Sequence, residues 1–210
     1  MIIYKTKPTT CIVCDKEIRQ RMENISIFMV LALLLTTIPI PVHSEYYTEI
    51  SHGFHLQEKV TYLHFYFFDI LSGKYPTAVE IAHPNTTFGA NSTTQFGKLY
   101  AIHDYLREGP DTNSKVIGNA QGLYLSSSLD DNVTSLVVYI DIGFTTGKFN
   151  GSSISVFSRN PVTEINRELA VVGGRGKFKM ARGFAETRTQ YLNIINGDAI
   201  VEYKVTVIHY

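Results

Sequence analysis

Hydrophobic and polar positions alternate along most of the chain after residue 58. Residues 133–144 give the clearest example, with every second position apolar: Leu136, Val138, Ile140, Ile142 and Phe144. Residues 199–209 repeat the pattern, and residues 59–71 are rich in β-branched and aromatic side chains. A period of two predicts β-strands whose side chains point alternately to two faces. No segment has the 3.6-residue apolar period of an amphipathic helix.

Short polar turns separate these segments along the chain. The segments predicted to be extended are 59–71, 78–82, 96–105, 116–129, 133–144, 153–158, 165–172, 177–191 and 199–209. Eight or so strands without helices indicate an all-β barrel or sandwich. We favour a closed eight-stranded antiparallel β-barrel, because closure removes the strand edges that such hydrophobic segments would otherwise expose.

A glycine cluster follows the seventh of these segments. Gly173, Gly174 and Gly176 come directly after Val171-Val172. Glycine reaches positive φ without steric cost, so the cluster predicts a tight hairpin that joins residues 165–172 to residues 177–191.

The first 44 residues have the features of a secretory leader. A basic region precedes Met22, an apolar core spans residues 25–40, and small Ser44 follows. This order predicts a signal peptide cleaved near Ser44, with Met1 and Met22 both open as the translation start. Residues 45–58 are then an N-terminal arm and residues 59–210 the barrel domain, with no membrane attachment after cleavage.

Four N-glycosylation sequons agree with secretion into the extracellular space. They begin at Asn85, Asn91, Asn132 and Asn150. Each sequon also predicts a surface turn. Both cysteines, Cys11 and Cys14, precede the predicted cleavage point, so the mature chain has to be held together by its core alone.

Charge and motifs exclude several classes of function. The formal net charge is zero, so the chain has no excess of basic residues for nucleic-acid binding. It lacks a nucleotide fingerprint, a phosphate-binding loop and a G-x-S-x-G motif. His64, His103 and His209 lie on separate predicted strands without metal-ligand spacing, so we predict no metal and no cofactor.

Asp69 is the polar residue of an otherwise apolar strand face. Phe65, Phe67 and Leu71 share that face. Apolar surroundings raise a carboxyl pKa and make the group a proton donor near neutral pH. The structural alternative is an aspartate that caps the turn beginning at Ser72.

Other polar residues could also face an interior site. Tyr124 shares a face with Ala120 and Gly122, which leaves room around its ring, although a core tyrosine is the simpler interpretation. Asp104 precedes a predicted turn and by itself suggests a turn residue. Arg167, and Arg182 on the face of Phe178, could each pair with a carboxylate inside the barrel or extend to solvent.

The segments after residue 58 resemble the plant dirigent proteins over nearly their whole length. The matching stretches are FYFFDIL (65–71), VIGNAQGLY (116–124), NGSSISVFSRNPV (150–162), RELAVVGGRGKFKMARGF (167–184) and GDAIVEYKVTVIHY (197–210). The resemblance implies an allene-oxide-cyclase-like barrel in the plant apoplast. It also implies a homo-oligomer, with a trimer favoured and a dimer as the alternative.

The resemblance implies a function in phenylpropanoid metabolism and defence. Dirigent proteins capture phenoxy radicals that a separate oxidase or laccase makes, for example from coniferyl alcohol. They orient two radicals so that coupling gives one lignan enantiomer, without a cofactor. Positioning restricts which faces of the two radicals meet.

The resemblance also assigns candidate site residues. Asp69, Asp104 and Arg167 match catalytic positions, with His103 in place of the partner of Asp104 in the family's Asp-Asp turn. The substrate-binding candidates are Tyr124, Phe67, Asn160 and Arg182. Lignan-forming members have Gly-Ala-Asp-Pro where this chain has Ser158-Arg159-Asn160-Pro161, so an aspartate is replaced by Asn160, which cannot supply a proton.

That replacement leaves other functions open. The pterocarpan synthases, which belong to the same family, dehydrate an isoflavanol through a quinone methide and need no oxidase. A third alternative is a wall- or carbohydrate-binding defence protein without turnover. The sequence therefore predicts a dirigent protein that acts as a stereochemical guide without catalytic activity of its own, with a hydro-lyase as the alternative.

Overall fold

The computed structural model describes residues 12–36, 57–85, 95–130 and 133–210. The chain divides into two units, residues 1–53 and residues 54–210. In the first unit, helix α1 spans Ile12–Thr36 and contains part of the predicted signal-peptide core. Of the described helices, none is long and apolar enough to span a membrane. Residues 37–56, including most of the predicted arm, lie outside the described residues.

The described part of the second unit consists of strands, turns and two short 3₁₀ turns. The strands are β1 (Lys59–Asp69), β2 (Ala78–Ala82), β3 (Leu99–Arg107), β4 (Val116–Ser126), β5 (Leu136–Phe144), β6 (Ser153–Asn160), β7 (Asn166–Arg175), β8 (Arg182–Leu192) and β9 (Ala199–His209). The 3₁₀ turns are Gly147–Phe149 and Gly176–Phe178. The all-β class predicted from the alternation is confirmed.

Antiparallel pairing closes the sheet into a barrel. Each strand from β3 to β8 pairs with the next strand in sequence, and β9 pairs with β1 along the whole of β1. β1 then pairs with β3 through Tyr66, Phe67 and Phe68, which closes a ring of eight strands. β2 lies outside the ring and pairs with the other half of the same edge of β3. The predicted eight-stranded antiparallel barrel is therefore confirmed.

The inward faces of the strands form the core. All five apolar residues of the 133–144 pattern are buried, as are Tyr203, Val205 and Val207 of β9. Aromatic rings fill one end of the barrel, where Phe178 lies 4.7 Å from Phe149 and 5.9 Å from Phe144 between ring centroids. This packing leaves the interior space at the opposite end, where β1 ends and β9 begins.

Of the glycine cluster, Gly176 alone lies in the turn that joins β7 to β8. Gly173 and Gly174 belong to β7, because they continue its ladder with Ser155 and Ile154 of β6. A Cβ atom on Gly174 would lie 2.6 Å from the carbonyl oxygen of Phe178, so the position requires close backbone approach. The chain reverses later, through the 3₁₀ turn that begins at Gly176 (φ +64°). The turn therefore begins later than predicted, because Gly173 and Gly174 serve close packing within β7.

Candidate functional site

A cavity of about 380 Å³ occupies the open end of the barrel. Its wall combines apolar side chains of β1, β5 and β9 with a few polar groups, and the turn Asn193–Gly197 forms part of its rim. A concave, mostly apolar space with a few polar groups is typical of a small-molecule site. The predicted site residues that line it are Phe67, Asp69, Tyr124, Asn160 and Arg167.

Asp69 is the last residue of β1 and lies at the cavity wall. Its Oδ1 atom is buried and has no hydrogen-bond partner. Burial raises the pKa of Asp69, the negative charge of Asp198 raises it further, and a hydrogen bond with Tyr124 partly offsets the increase. The carboxyl is therefore protonated at a higher pH than an ordinary aspartate, as a proton donor requires.

Asp198 lies in the loop before β9 and holds the turn that follows Asp69. Its carboxylate accepts hydrogen bonds from the backbone N–H groups of Leu71 (2.8 Å) and Ser72 (2.9 Å), which fixes the turn after β1. These bonds lower the pKa of Asp198 although burial opposes the change, so Asp198 remains charged. The turn-capping role considered for Asp69 thus belongs to Asp198.

Tyr124 stands beside Asp69 and is part of a tyrosine pair. Its ring stacks on Tyr100 with centroids 4.9 Å apart. Burial and the nearby Asp69 charge raise the pKa of Tyr124, so its phenol stays protonated and can donate a hydrogen bond. The Tyr100 hydroxyl donates to Glu80 Oε2 at 3.2 Å, which orients the outer ring of the pair.

Arg167 is a buried cation with neutral partners. Its Nη2 donates to Thr189 Oγ1 at 3.0 Å, its Nε to Thr187 Oγ1 at 3.3 Å, and its Nη1 to the Val162 carbonyl oxygen at 3.4 Å. Neither predicted alternative is found, since the guanidinium neither pairs with a carboxylate nor extends to solvent. Burial lowers its pKa. Two of its five N–H donors remain for a ligand.

Two threonines that hold Arg167 were not predicted. Thr187 and Thr189 lie on β8, two residues apart and therefore on one face. The T-x-T spacing was a usable signal, because hydroxyls on the inward face of a barrel strand need a partner.

Asn160 and Phe67 complete the described polar and aromatic wall. The Asn160 Oδ1 atom is buried without a hydrogen-bond partner, so it is available to a ligand that donates a hydrogen bond. Phe67 is buried and packs against Tyr203, with ring centroids 5.7 Å apart. This part of the wall therefore offers an acceptor and an aromatic surface but no acid.

Asp104 is placed differently from its prediction. It lies within β3 rather than at a turn, is 0% exposed, and is behind the cavity wall instead of lining the cavity. Burial, and secondly the charge of Asp69, raises the pKa of Asp104. Its neighbour His103 points outward and bonds Gln121, so His103 does not replace an acid in the site.

Arg182 does not line the cavity, so its prediction as a substrate-binding residue is wrong, whereas the alternative of a side chain that extends to solvent is found. It begins β8 on the outer face, its side chain is 54% exposed, and it forms an ion pair with Glu58. The prediction assumed one extended strand from residue 177. The turn before β8, with Met180 at φ 61°, shifts the alternation and turns Arg182 outward.

The histidines remain apart, and no metal site is formed by the described residues. No group of three or more His, Cys, Asp or Glu side chains is arranged there to hold a metal ion. Of the predicted glycosylation sites, Asn85 and Asn150 are exposed, whereas Asn91 and Asn132 lie outside the described residues.

Comparison with known proteins defines the class of this barrel. The family profile described as "Dirigent-like protein" matches residues 60–208. Dirigent protein 15 of Arabidopsis thaliana is 51% identical over 170 residues, which cover 80% of this chain and 90% of the relative. Pterocarpan synthase 1 of Glycine max is 44% identical over 155 residues, covering 73% and 81%.

A solved structure agrees with this assignment. The pterocarpan synthase dirigent protein GePTS1 superposes with a TM-score of 0.68 and 41% identity, over 74% of this chain and 87% of that structure. The chain therefore belongs to the dirigent family, as its sequence motifs predicted. Pterocarpan synthases are among its relatives.

Proposed function

We propose that this protein binds a phenolic substrate in the barrel cavity and removes water from it through a quinone methide. The observation that carries the proposal is the buried Asp69 carboxyl, held beside the Tyr124 phenol in an apolar wall. Expelling hydroxide from carbon requires a proton, and a carboxylic acid with a raised pKa can supply it. Radical coupling itself requires no such donor.

The proposed reaction begins at a hydroxyl on a benzylic carbon para to a phenol. Asp69 gives its proton to that hydroxyl, the C–O bond breaks, and water leaves with the bonding electrons. Loss of the phenol proton gives the neutral quinone methide. A second phenol of the same molecule then adds its oxygen to the methide carbon and loses its proton. The carbonyl oxygen and Asp69 each regain a proton, so the net change is loss of one water.

Arg167 and the aromatic wall serve this reaction by position and charge. The two remaining Arg167 donors can hold the phenol oxygen on which negative charge develops. Phe67 and the Tyr100–Tyr124 pair offer faces for the substrate rings. A substrate held between these groups exposes only one face of the methide carbon, which accounts for stereoselectivity.

The second candidate is the dirigent guide, which orients phenoxy radicals made by a separate oxidase or laccase. The cavity supports this second function, because radical coupling requires only that the radicals fit into the cavity and are held in a fixed orientation. The neutral amide of Asn160 argues against a lignan product such as pinoresinol. Formation of that product includes two ring closures, which would use two acids as proton donors, and Asn160 cannot supply a proton. The hydro-lyase is therefore the first proposal and the guide the second.

Two incubations of the purified protein separate these functions. A 4-hydroxyisoflavanol without oxidant should lose water and give one enantiomer of a cyclic ether, measured by chiral chromatography. Coniferyl alcohol with laccase should give racemic coupling products if the protein is the hydro-lyase alone. Unchanged isoflavanol together with enantioenriched lignan would replace the first proposal with the second.

We further propose a homo-oligomer, a trimer rather than a dimer, formed through the outer face of β2–β6. Four partly exposed apolar residues follow one another in register across these strands: Val79, Leu123, Tyr139 and Phe157. Ala101 of β3 completes the row between Val79 and Leu123. Adjacent exposed apolar side chains of this kind are typical of subunit interfaces.

Tyr139→Glu is expected to dissociate this oligomer, because it buries a charge in the apolar row. Light scattering coupled to size exclusion should give a multiple of the chain mass for the unchanged protein and the monomer mass for the variant. Tyr62→Glu is the matched control, since Tyr62 is 78% exposed on β1, outside the row. Dissociation by Tyr62→Glu with an intact Tyr139→Glu oligomer would place the interface elsewhere.

We also propose that the protein is secreted into the apoplast and glycosylated. The exposure of Asn85 and Asn150 supports this, because a sequon must be accessible to be modified. Expression in a plant cell is expected to give extracellular protein whose N-terminus lies near residue 45 and whose mass falls on glycosidase treatment. Intracellular protein with an intact leader would contradict the proposal.

A further inference from the structure

Asp69 and Asp104 face each other at the point where β1 leaves β3. The β1–β3 ladder runs through Phe67↔Leu106 and Phe68↔Tyr105. The next pair in this antiparallel register is Asp69 with Asp104. Phe67 and Leu106 both point inward, so the two carboxyls, two residues further along each strand, also share the inward face. Side chains directly opposite in such a pair have Cβ atoms about 5 Å apart.

Among the residues that the structure describes, no positive charge balances these two carboxyls. Asp69 Oδ1 and Asp104 Oδ2 are both buried without hydrogen-bond partners. The titratable groups that act on them are the phenols Tyr100, Tyr124 and Tyr203 and the carboxylate Asp198. Arg167 is the buried cation of the described barrel, and it bonds Thr187, Thr189 and the Val162 carbonyl instead. Two ionised carboxylates here would repel each other in a medium of low polarity.

Thr77 connects Asp104 to the turn that follows β1. It lies just before β2, which pairs with β3 beyond the point where the β1–β3 pairing ends. The Thr77 carbonyl oxygen accepts a hydrogen bond from the His103 N–H at 2.8 Å. The Thr77 hydroxyl accepts from the Ile70 N–H at 3.1 Å and donates to Asp104 Oδ1 at 2.5 Å. Tyr124 makes a hydrogen bond with Asp69, so each of the two carboxyls has one hydroxyl partner. The two hydroxyls can stabilise the single negative charge that remains when the pair holds one proton.

We propose that Asp69 and Asp104 share one proton, and that Asp104 is a positioning residue that keeps a proton available to Asp69. This inference rests on the proposed function, because it explains how the Asp69 carboxyl in the cavity wall stays protonated. When Asp69 gives its proton to a leaving group, two carboxylates face each other, so the pair regains a proton readily. Asp104 does not contact the cavity and acts only through Asp69.

Asp104→Asn tests the pair, because asparagine keeps the shape and the acceptor for Thr77 but cannot carry the charge. Without that charge Asp69 ionises at lower pH, so the alkaline loss of turnover should begin about one pH unit lower than in the unchanged protein. Turnover at low pH, where Asp69 is protonated in both proteins, should be retained. His103→Asn, on the same strand but facing outward, is the matched control and should leave the profile in place.

Two measurements without substrate make this test independent of the proposed function. Infrared difference spectra should show a protonated carboxylic acid at neutral pH that titrates at lower pH in Asp104→Asn. The pair has a raised pKa when folded, so its contribution to stability is complete at low pH and is lost as pH rises through that pKa. The free energy of unfolding should fall as the pH rises from about 4, the ordinary aspartate pKa, to about 7, the raised pKa of Asp69, and it should fall less in Asp104→Asn.

Thr77→Val is the second variant, for use if Asp104→Asn does not fold. It removes the donor that stabilises charge on Asp104, so the proton moves from Asp69 to Asp104 and turnover falls about tenfold at every pH. Unchanged carboxyl titration and pH profile in Asp104→Asn would overturn the inference, because burial alone would then hold the proton on Asp69. Normal titration of the pair without turnover of any phenol would overturn the proposed function alone.

Discussion

Asp69→Asn is expected to lower the turnover of an accepted phenolic alcohol by about 10²–10⁴-fold, while the barrel remains folded. Asparagine has the size of aspartate and can still accept from Tyr124, but it has no proton to give to a leaving hydroxyl. The variant also removes one of two opposed carboxyls, so its stability at neutral pH should be at least that of the unchanged protein. Circular dichroism and thermal unfolding check the fold, and chiral chromatography measures the product.

Arg182→Ala is the matched control for this prediction. The Arg182 side chain carries charge and belongs to a matching family stretch, but it lies outside the barrel and bonds Glu58. We expect its loss to leave turnover and enantiomeric excess unchanged. Full turnover by Asp69→Asn would assign Asp69 a structural role and remove the acid from the mechanism.

Arg167→Met should separate function from stability more sharply than any other change in the cavity. Burial removes water from the guanidinium, and its neutral partners offset only part of the free-energy cost of that desolvation. An apolar side chain of similar length should therefore leave the free energy of unfolding unchanged or raise it by about 1–2 kcal/mol. Turnover should fall about 10²-fold or more, because the developing charge on the substrate oxygen loses its cation.

The measurement for Arg167→Met combines chemical denaturation with steady-state kinetics. Arg167→Lys adds a test of geometry, since lysine keeps the charge but not the planar fork that bridges Thr187 and Thr189. A variant that unfolds while its remaining folded fraction turns over normally would show that Arg167 serves stability. Loss of turnover with unchanged stability in both variants would support the proposed role.

Alternation along single strands was sufficient to predict most of the core. In β5, five residues at every second position are all buried. The same reasoning placed Asp69 among Phe65 and Phe67, and the structure places it at the cavity wall. The alternation gave the wrong face for Arg182. The turn that begins at Gly176 interrupts the strand, so the alternation of residues before the turn does not continue into β8.

The sequence by itself determined the strands, most of their inward and outward positions, and membership of the dirigent family, because these properties depend on neighbours along the chain. Only the tertiary structure decided which side chains meet. Asp69 and Asp104 are 35 positions apart, and their opposition depends on the register with which β1 closes onto β3. Arg167 finds its threonines across the β7–β8 ladder. Register and ring closure are set by the packing of all eight strands at once, so no single segment encodes them.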